Sequence, residues 1–194
     1  MQVNSLRILM DLGCDVLSET QLIKESSYLE LGTRDNRNIK KMNATRKRGV
    51  DINGVTDFTG TTDEYFESHG DEKFDIVFID ACHDAPFVER DFNNSVKIAN
   101  KWIILHDMIP PDAKYTARNR CSDSYKVLYH ILTKTDFESY TMDENFGLTF
   151  VRMPAHPITM TYEDKNIIWR DYANYMADKK LYDREEIKAI LDDY

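Results

Sequence analysis

Apolar residues in this 194-residue chain follow two rhythms, and the alternation between them outlines the fold. Leu6, Ile8, Leu9, Leu12, Val16 and Leu17 recur at helical spacing, which predicts an amphipathic helix over 4–18. Tyr28 to Leu31 reads as a short strand. It leads into a short helix from Asn36 to Ala44, with Ile39 and Met42 inward. Arg48 to Asp51 suggests a second strand ending in an acid. "INGVTDFTG" carries Asn-Gly and reads as loop, with a minimal third strand at Phe58 to Gly60. Thr62 begins a helix through Phe66, because Thr followed by acidic residues marks a helix N-terminus.

"KFDIVFID" is the clearest strand. Phe74, Ile76, Val77, Phe78 and Ile79 are nearly continuous, as in a central parallel strand covered on both faces. Pro86 fits the first turn of a helix from Pro86 to Ala99, with Phe87, Phe92, Val96 and Ile98 inward. "KWIILHD" is a second buried strand, stopped by "MIPPDA", and a helix is expected over 122–134. "FESYTM" and "GLTFVRM" read as two strands joined at Asp143-Glu144-Asn145. Helices near 163–178 and 183–192 follow Pro154 and Pro157. The alternation predicts an α/β, Rossmann-like, doubly wound and mostly parallel sheet with helices on both faces and an antiparallel last strand. The expected division is a domain over 1–154 and a helical extension over 155–194 that packs on it or forms a homodimer contact.

Ligands of such sheets sit outside the carboxyl ends of the strands, near the point where strand order reverses. The strand-end residues here are Gly32, Asp51, Asp80, and His106 with Asp107; all are small, acidic or imidazole. Gly32 permits a tight turn and close backbone approach. Asp51 follows it by nineteen residues, where a carboxylate can hold both ribose hydroxyls. Asp80 can serve as a helix N-cap or as a site residue, and His83 as a loop histidine or a base. Carboxylates and imidazole at adjacent strand ends form either a magnesium or manganese site or a general-base pair.

Composition narrows the chemistry. A net charge of −9 argues against a phosphate-tracking nucleic-acid binder. The basic stretch Arg34–Arg48 is either a solvated face or an acidic-ligand patch. Cys14, Cys82 and Cys121 lack pair spacing and fit reduced thiols. No apolar run approaches the ~20 residues of a membrane helix, and the start lacks a signal peptide's long apolar centre. A cytoplasmic protein without membrane or nucleic-acid partners is expected.

These pieces together resemble class I S-adenosylmethionine-dependent methyltransferases, in particular a compact group reading L-E-I-G-T, V-D, F-I-D-G-x-H and a strand ending H-D. "YLELGT", "GVDINGVTDF", "TTDEYF", "FDIVFIDACH" and "IILHD" carry the resemblance, from Tyr28 to about Met153. It implies that Glu30, Gly32, Thr33 and Asn36 belong to the loop holding the methionine moiety. Asp51 with Ile52 would hold the ribose, and Asp63 would lie near the adenine amine. Asp80 with Ala81 would lie near the methionine amino group or a metal. Asp80, His106 and Asp107 occupy the positions of a divalent-ion site, with His106 in place of an oxygen ligand. His83, His106 and Asp107 are the candidate catalytic residues. Arg34 and Asn36 depart from the family's glycine-rich turn; Asn36 suits a left-handed backbone.

The implied activity is methyl transfer from S-adenosylmethionine to a small acceptor, acidic or sugar-like, with O-methylation expected. Lys114, Arg118 and Arg120, in "PPDAKYTARNRCSDSY", would suit an acidic acceptor under a lid. The alternatives are a non-catalytic S-adenosylmethionine- or nucleotide-binding module, and a nicotinamide-dependent oxidoreductase, whose G-x-G-x-x-G is denied by Arg34 and Asn36.

Overall fold

A computed structural model of the protein describes residues 14–155 and 166–193. Most of the helix expected over 4–18 lies outside the described residues. Its end is α1 (Asp15–Ser18), followed by α2 (Gln21–Lys24), whose first turn is capped by Thr20. The chain continues through β1 (Ser27–Leu31), α3 (Arg37–Lys41), β2 (Arg46–Asp51), β3 (Phe58–Thr59) and α4 (Thr62–His69). Next come β4 (Phe74–Ile79), α5 (Ala85–Ile98) and β5 (Ala99–Leu105), then a 3-10 turn at Ala113–Thr116 and α6 (Tyr125–Lys134). The last elements are β6 (Ser139–Met142), β7 (Leu148–Arg152), α7 (Trp169–Ala177) and α8 (Arg184–Asp192).

The strands form one seven-stranded sheet in the order β3-β2-β1-β4-β5-β7-β6, in which β7 alone runs against its neighbours. This is the doubly wound, mostly parallel arrangement expected from the alternating pattern. Period-two alternation divides each central strand between two cores. Leu29, Leu31, Val77, Ile79, Ile103 and Leu105 face α4, α5, α6 and α7. Tyr28, Ile76, Phe78, Trp102 and Ile104 face α1, α2, α3 and α8. Burying each such side chain stabilises the fold by roughly 1.5–3 kcal/mol. Both faces being covered is why the strands read as apolar runs rather than alternating ones.

The two C-terminal helices complete these cores. Tyr172 and Met176 of α7 join the first, and the Tyr172 hydroxyl donates to the Met108 carbonyl at 2.7 Å. Ile187 and Leu191 of α8 join the second, while the Arg184 guanidinium donates to Glu144 at 2.8 Å. Residues 163–165 of the expected helix near 163–178 lie outside the described ones, and α7 starts at Trp169. No described helix is long and apolar enough to cross a membrane.

Some boundaries differ for physical reasons. β2 begins at Arg46, two residues earlier than expected, because Arg46 is neutralised by Glu72 at 2.6 Å and lies over the Phe74 ring. Much of the basic stretch is accounted for in this way: Lys41 pairs with Asp15 and Arg37 with Asp35. α4 continues to His69, its start fixed by a reciprocal capping box between Thr61 and Glu64. α6 starts at Tyr125 rather than 122, since Ser122 is left-handed (φ 51°) and cannot continue a helix.

Candidate functional site

The strand order reverses between β1 and β4, and the hydrogen-bond ladder runs one residue past the strand ends there. Gly32 N–H donates to the Val50 carbonyl, Asp80 N–H to Leu31, and His106 N–H to Ile79. The three residues predicted to end strands thus form one terrace. Above it lies a cavity of about 1130 Å³ lined by Gly32, Asp51, Ile52, Asp63, Asp80, Ala81, His83, His106 and Asp107. Nine of the twelve predicted site residues share this space. Glu30, Thr33 and Asn36 do not line it.

At the β1–β2 end the backbone makes the site. Gly32 has φ +89°, and a Cβ there would sit 2.2 Å from the Asp80 carbonyl oxygen. A glycine is therefore required here by the neighbouring loop and by the positive φ. Arg34 (φ 51°) and Asn36 (φ 62°) are both left-handed, so the departures from a glycine-rich turn keep its conformation. The Asp51 carboxylate holds this turn: one oxygen accepts from the Arg34 amide at 2.6 Å, the other from the Asn53 amide at 2.8 Å. Each oxygen retains a second lone pair for a ligand hydroxyl. Asp63, at the start of α4, pairs with Arg90 of α5 at 2.6 Å.

The three predicted residues outside the cavity support it from below. The Glu30 carboxylate is buried against the Tyr28 hydroxyl (2.8 Å) and the Asn38 amide (2.7 Å). Burial pushes its pKa up to about 8 against those hydrogen bonds. Asn36 donates from its side chain to the Val55 carbonyl, tying the two loops together, and Thr33 is buried.

At the β4–β5 end, charge makes the site. Asp80, His83, His106 and Asp107 each offer a ligand atom, all within 4.8 Å of one another. Asp80 Oδ1 is 2.9 Å from His106 Nδ1 and 3.2 Å from His83 Nε2; His83 Nδ1 is 2.9 Å from Asp107 Oδ2. Burial works to raise the Asp80 pKa, yet the two imidazoles hold it well below the usual carboxylate range. Burial works to lower His83 and His106, but Asp107 and Asp80 raise the former to about 11, and Asp80 chiefly raises the latter to about 8. Without a bound cation, both imidazoles are thus protonated at neutral pH and balance the two carboxylates. Two atoms in the cluster are buried without a hydrogen bond among the described residues: His106 Nε2 and Asp107 Oδ1. Asp107 itself is left-handed (φ 60°).

Tyr115, Asn119 and Cys121 come from the segment expected to cover the acceptor, whereas Cys82, Phe87, Arg90 and Phe146 line the cavity without having been singled out as site residues in the sequence. Phe87 and Arg90 lie on the first turns of α5. Their signal was present in that helix's N-terminus following Asp80 by a loop of four residues. Phe146 arrives from the β6–β7 hairpin, which no local signal connects to the cavity.

No protein-family model matches the chain, and no curated protein matches its sequence. Solved structures do match its fold. An O-methyltransferase from Bacillus cereus, solved in complex with SAH, superposes with TM-score 0.56 at 14% identity, covering 79% of this chain and 88% of its own. A Staphylococcus aureus protein provisionally described as a caffeoyl-CoA O-methyltransferase gives TM-score 0.55 at 14% identity, covering 78% and 85%. A Klebsiella pneumoniae protein provisionally described as an O-methyltransferase gives 0.54 at 15%, covering 68% and 75%. At such identities the likeness is one of fold, and the chain shares the Rossmann-like fold of these O-methyltransferases.

Proposed function

We propose that the protein is an S-adenosylmethionine-dependent methyltransferase acting on a hydroxyl of a small acceptor. The observation that carries this reading is the convergence of Gly32, Asp51, Asp63, Asp80, His106 and Asp107 on one cavity at the strand-order reversal. The group fits the residues present. Carboxylates at successive strand ends suit a ligand with a ribose, an ammonium and a sulfonium charge. A single-glycine turn whose next residues are Thr33 and Arg34 lacks the cradle a dinucleotide pyrophosphate needs.

S-adenosylmethionine supplies an activated methyl group; as the acceptor oxygen bonds to that carbon, the carbon–sulfur bond breaks and sulfur keeps its electron pair. The chain's residues place the partners and take the proton. Asp51 receives the ribose hydroxyls at the β1–β2 end. Asp107 Oδ1, buried and without a hydrogen bond, accepts the acceptor's hydroxyl proton. His83, held protonated between Asp80 and Asp107, positions Asp107 and is a poor base itself. His106 is oriented by Asp80 through Nδ1.

Asp80, His83, His106 and Asp107 also fit a divalent cation. Two imidazole nitrogens with two carboxylates favour manganese or a similar transition ion over magnesium, which prefers oxygen ligands. When bound, such an ion would relieve the repulsion between the carboxylates and lower an acceptor hydroxyl's pKa. Thermal unfolding with manganese or with magnesium distinguishes the two: a larger rise in Tm with manganese is expected, and no rise with either removes the metal.

Calorimetric titration tests the main reading. S-adenosylmethionine and S-adenosylhomocysteine should bind and nicotinamide dinucleotides should not. The reverse pattern overturns it.

A further inference from the structure

The cavity's outer wall, over the β4–β5 end, is built from residues that no local chemistry of the protein requires there. Phe146 lines the cavity with φ +63°, between Asn145 (φ 51°) and Gly147 (φ 92°). A bulky aromatic residue in the left-handed region carries strain on the order of 1–3 kcal/mol. The surrounding backbone enforces it: the Ile109 amide donates to the Phe146 carbonyl at 2.6 Å and the Met108 amide to Gly147 at 3.1 Å. The result is that the ring meets Tyr115, at 5.3 Å between centroids.

Arg120 completes the wall. Its guanidinium lies over the Tyr115 ring at 4.6 Å and lines the cavity. The three basic residues of this loop then separate by partner. Lys114 pairs with Asp112 at 2.8 Å and Arg118 with Asp84 at 3.2 Å, whereas Arg120 has no carboxylate partner among the described residues. Of the four guanidiniums that line the cavity, Arg90 and Arg118 pair with carboxylates, and Arg120, like Arg34 at the β1–β2 end, is left without one among the described residues, so Arg120 is the unpaired guanidinium nearest the acid–imidazole cluster. Its backbone is also fixed to the reacting centre. The Arg120 carbonyl lies 2.7 Å from His83 Nδ1, and the Ser124 hydroxyl donates to the Asp107 carbonyl at 2.6 Å. The loop thus places five guanidinium donors beside an aromatic surface, one residue away from the acid–imidazole cluster.

Resting on the methyltransferase reading, we propose that Arg120, presented on the Tyr115–Phe146 wall, is the residue that determines acceptor specificity. The acceptor carries an anionic group, a carboxylate or a phosphate, beside a ring that bears the reacting hydroxyl. The guanidinium takes the anion in a two-pronged hydrogen bond, Tyr115 and Phe146 cover the ring, and the hydroxyl falls toward Asp107. Selection is by charge at one end and by the strained aromatic at the other.

The test uses the full chain loaded with S-adenosylhomocysteine and followed by NMR titration. The probes are 4-hydroxybenzoate, 4-hydroxyphenyl phosphate and the uncharged 4-hydroxybenzamide, which matches the benzoate in shape. At least one anion should bind about tenfold or more tightly than the amide, and the tighter anion names the group. Arg120→Gln should bring that ratio to about one and Arg120→Lys should keep part of it. Phe146→Asn, which tolerates the left-handed backbone, should weaken all three probes. The proposal is overturned if the amide binds as tightly as both anions, if no probe binds, or if Arg120→Gln keeps the preference. Failure of S-adenosylhomocysteine to bind would instead strike the methyltransferase reading. The same probe series on the unloaded protein would still decide the role of Arg120.

Discussion

The two ends of the cavity are held in different ways. At the β1–β2 end, one carboxylate, Asp51, grips the amides of Arg34 and Asn53, and the turn's shape comes from backbone hydrogen bonds and three left-handed or glycine positions. At the β4–β5 end, two carboxylates and two imidazoles hold one another through charge, and the wall above them comes from residues distant in sequence. A surface built from backbone amides keeps its form when charges change. A charge cluster rearranges when one member is altered or when an ion enters. The first end is suited to holding a ligand in one pose, the second to proton transfer and to choosing among acceptors.

The sharpest way to break this contrast is to remove one charge from the cluster. Asp107→Asn keeps a residue that tolerates φ near 60° while removing the proposed proton acceptor. Turnover, followed as S-adenosylhomocysteine release with a competent acceptor, should fall roughly 100-fold or more, with S-adenosylmethionine affinity nearly unchanged. A parallel loss of affinity would show that the two ends are not separable. Next in size is Gly32→Ala. The added Cβ meets the Asp80 backbone 2.2 Å away at a φ of +89°, so loss of about 3 kcal/mol or more in unfolding free energy is expected. Denaturant titration showing wild-type stability would mean that the floor yields.

Beneath the β1–β2 end, Glu30 offers a pH handle. Its folded pKa of about 8 exceeds the ordinary value of 4.5, so the folded state binds its proton more tightly. The stability it contributes is fully present below about pH 4.5 and is lost as pH rises toward 8. Glu30→Gln should abolish that slope, gaining on the wild type by a few kcal/mol, at most, as pH rises from 5 to 8. Identical Tm profiles for the two proteins would contradict the burial argument. The smallest effect is expected from Asp51→Ala, about 1–3 kcal/mol of S-adenosylmethionine affinity. If calorimetry finds no change, Asp51 belongs to the turn alone.

Much of the frame was legible because parallel strands buried on both faces leave an unmistakable apolar run, as in Phe74–Ile79, and because Pro86 and the threonine followed by acids at Thr62 punctuate helices locally, although the cap itself is Thr61. The strand-end residues followed from the fold, since parallel pairing in register brings the carboxyl ends of adjacent strands to one level. Glu30 precedes the terrace by one strand pair, and its side chain goes to the face shared with Tyr28, where it meets Asn38 below the cavity rather than lining it. The roles of Arg118 and Arg120 could not be separated in sequence, because their difference lies in Asp84 and Tyr115, met only after folding. Phe146 was invisible for a further reason: a positive φ at an aromatic residue opposes every local propensity.

The close passage of Gly32 beneath the Asp80–Ala81 backbone has a temporal consequence. Backbones packed this closely leave little room for movement between the two loops at the floor of the cavity. Exchange of a ligand with bulk solution is then expected to run through the roof, the 3-10 turn at Ala113–Thr116 and the residues up to Cys121. The roof governs both passage and the choice of acceptor, while the floor, with little room to move, acts only on how tightly a ligand is held.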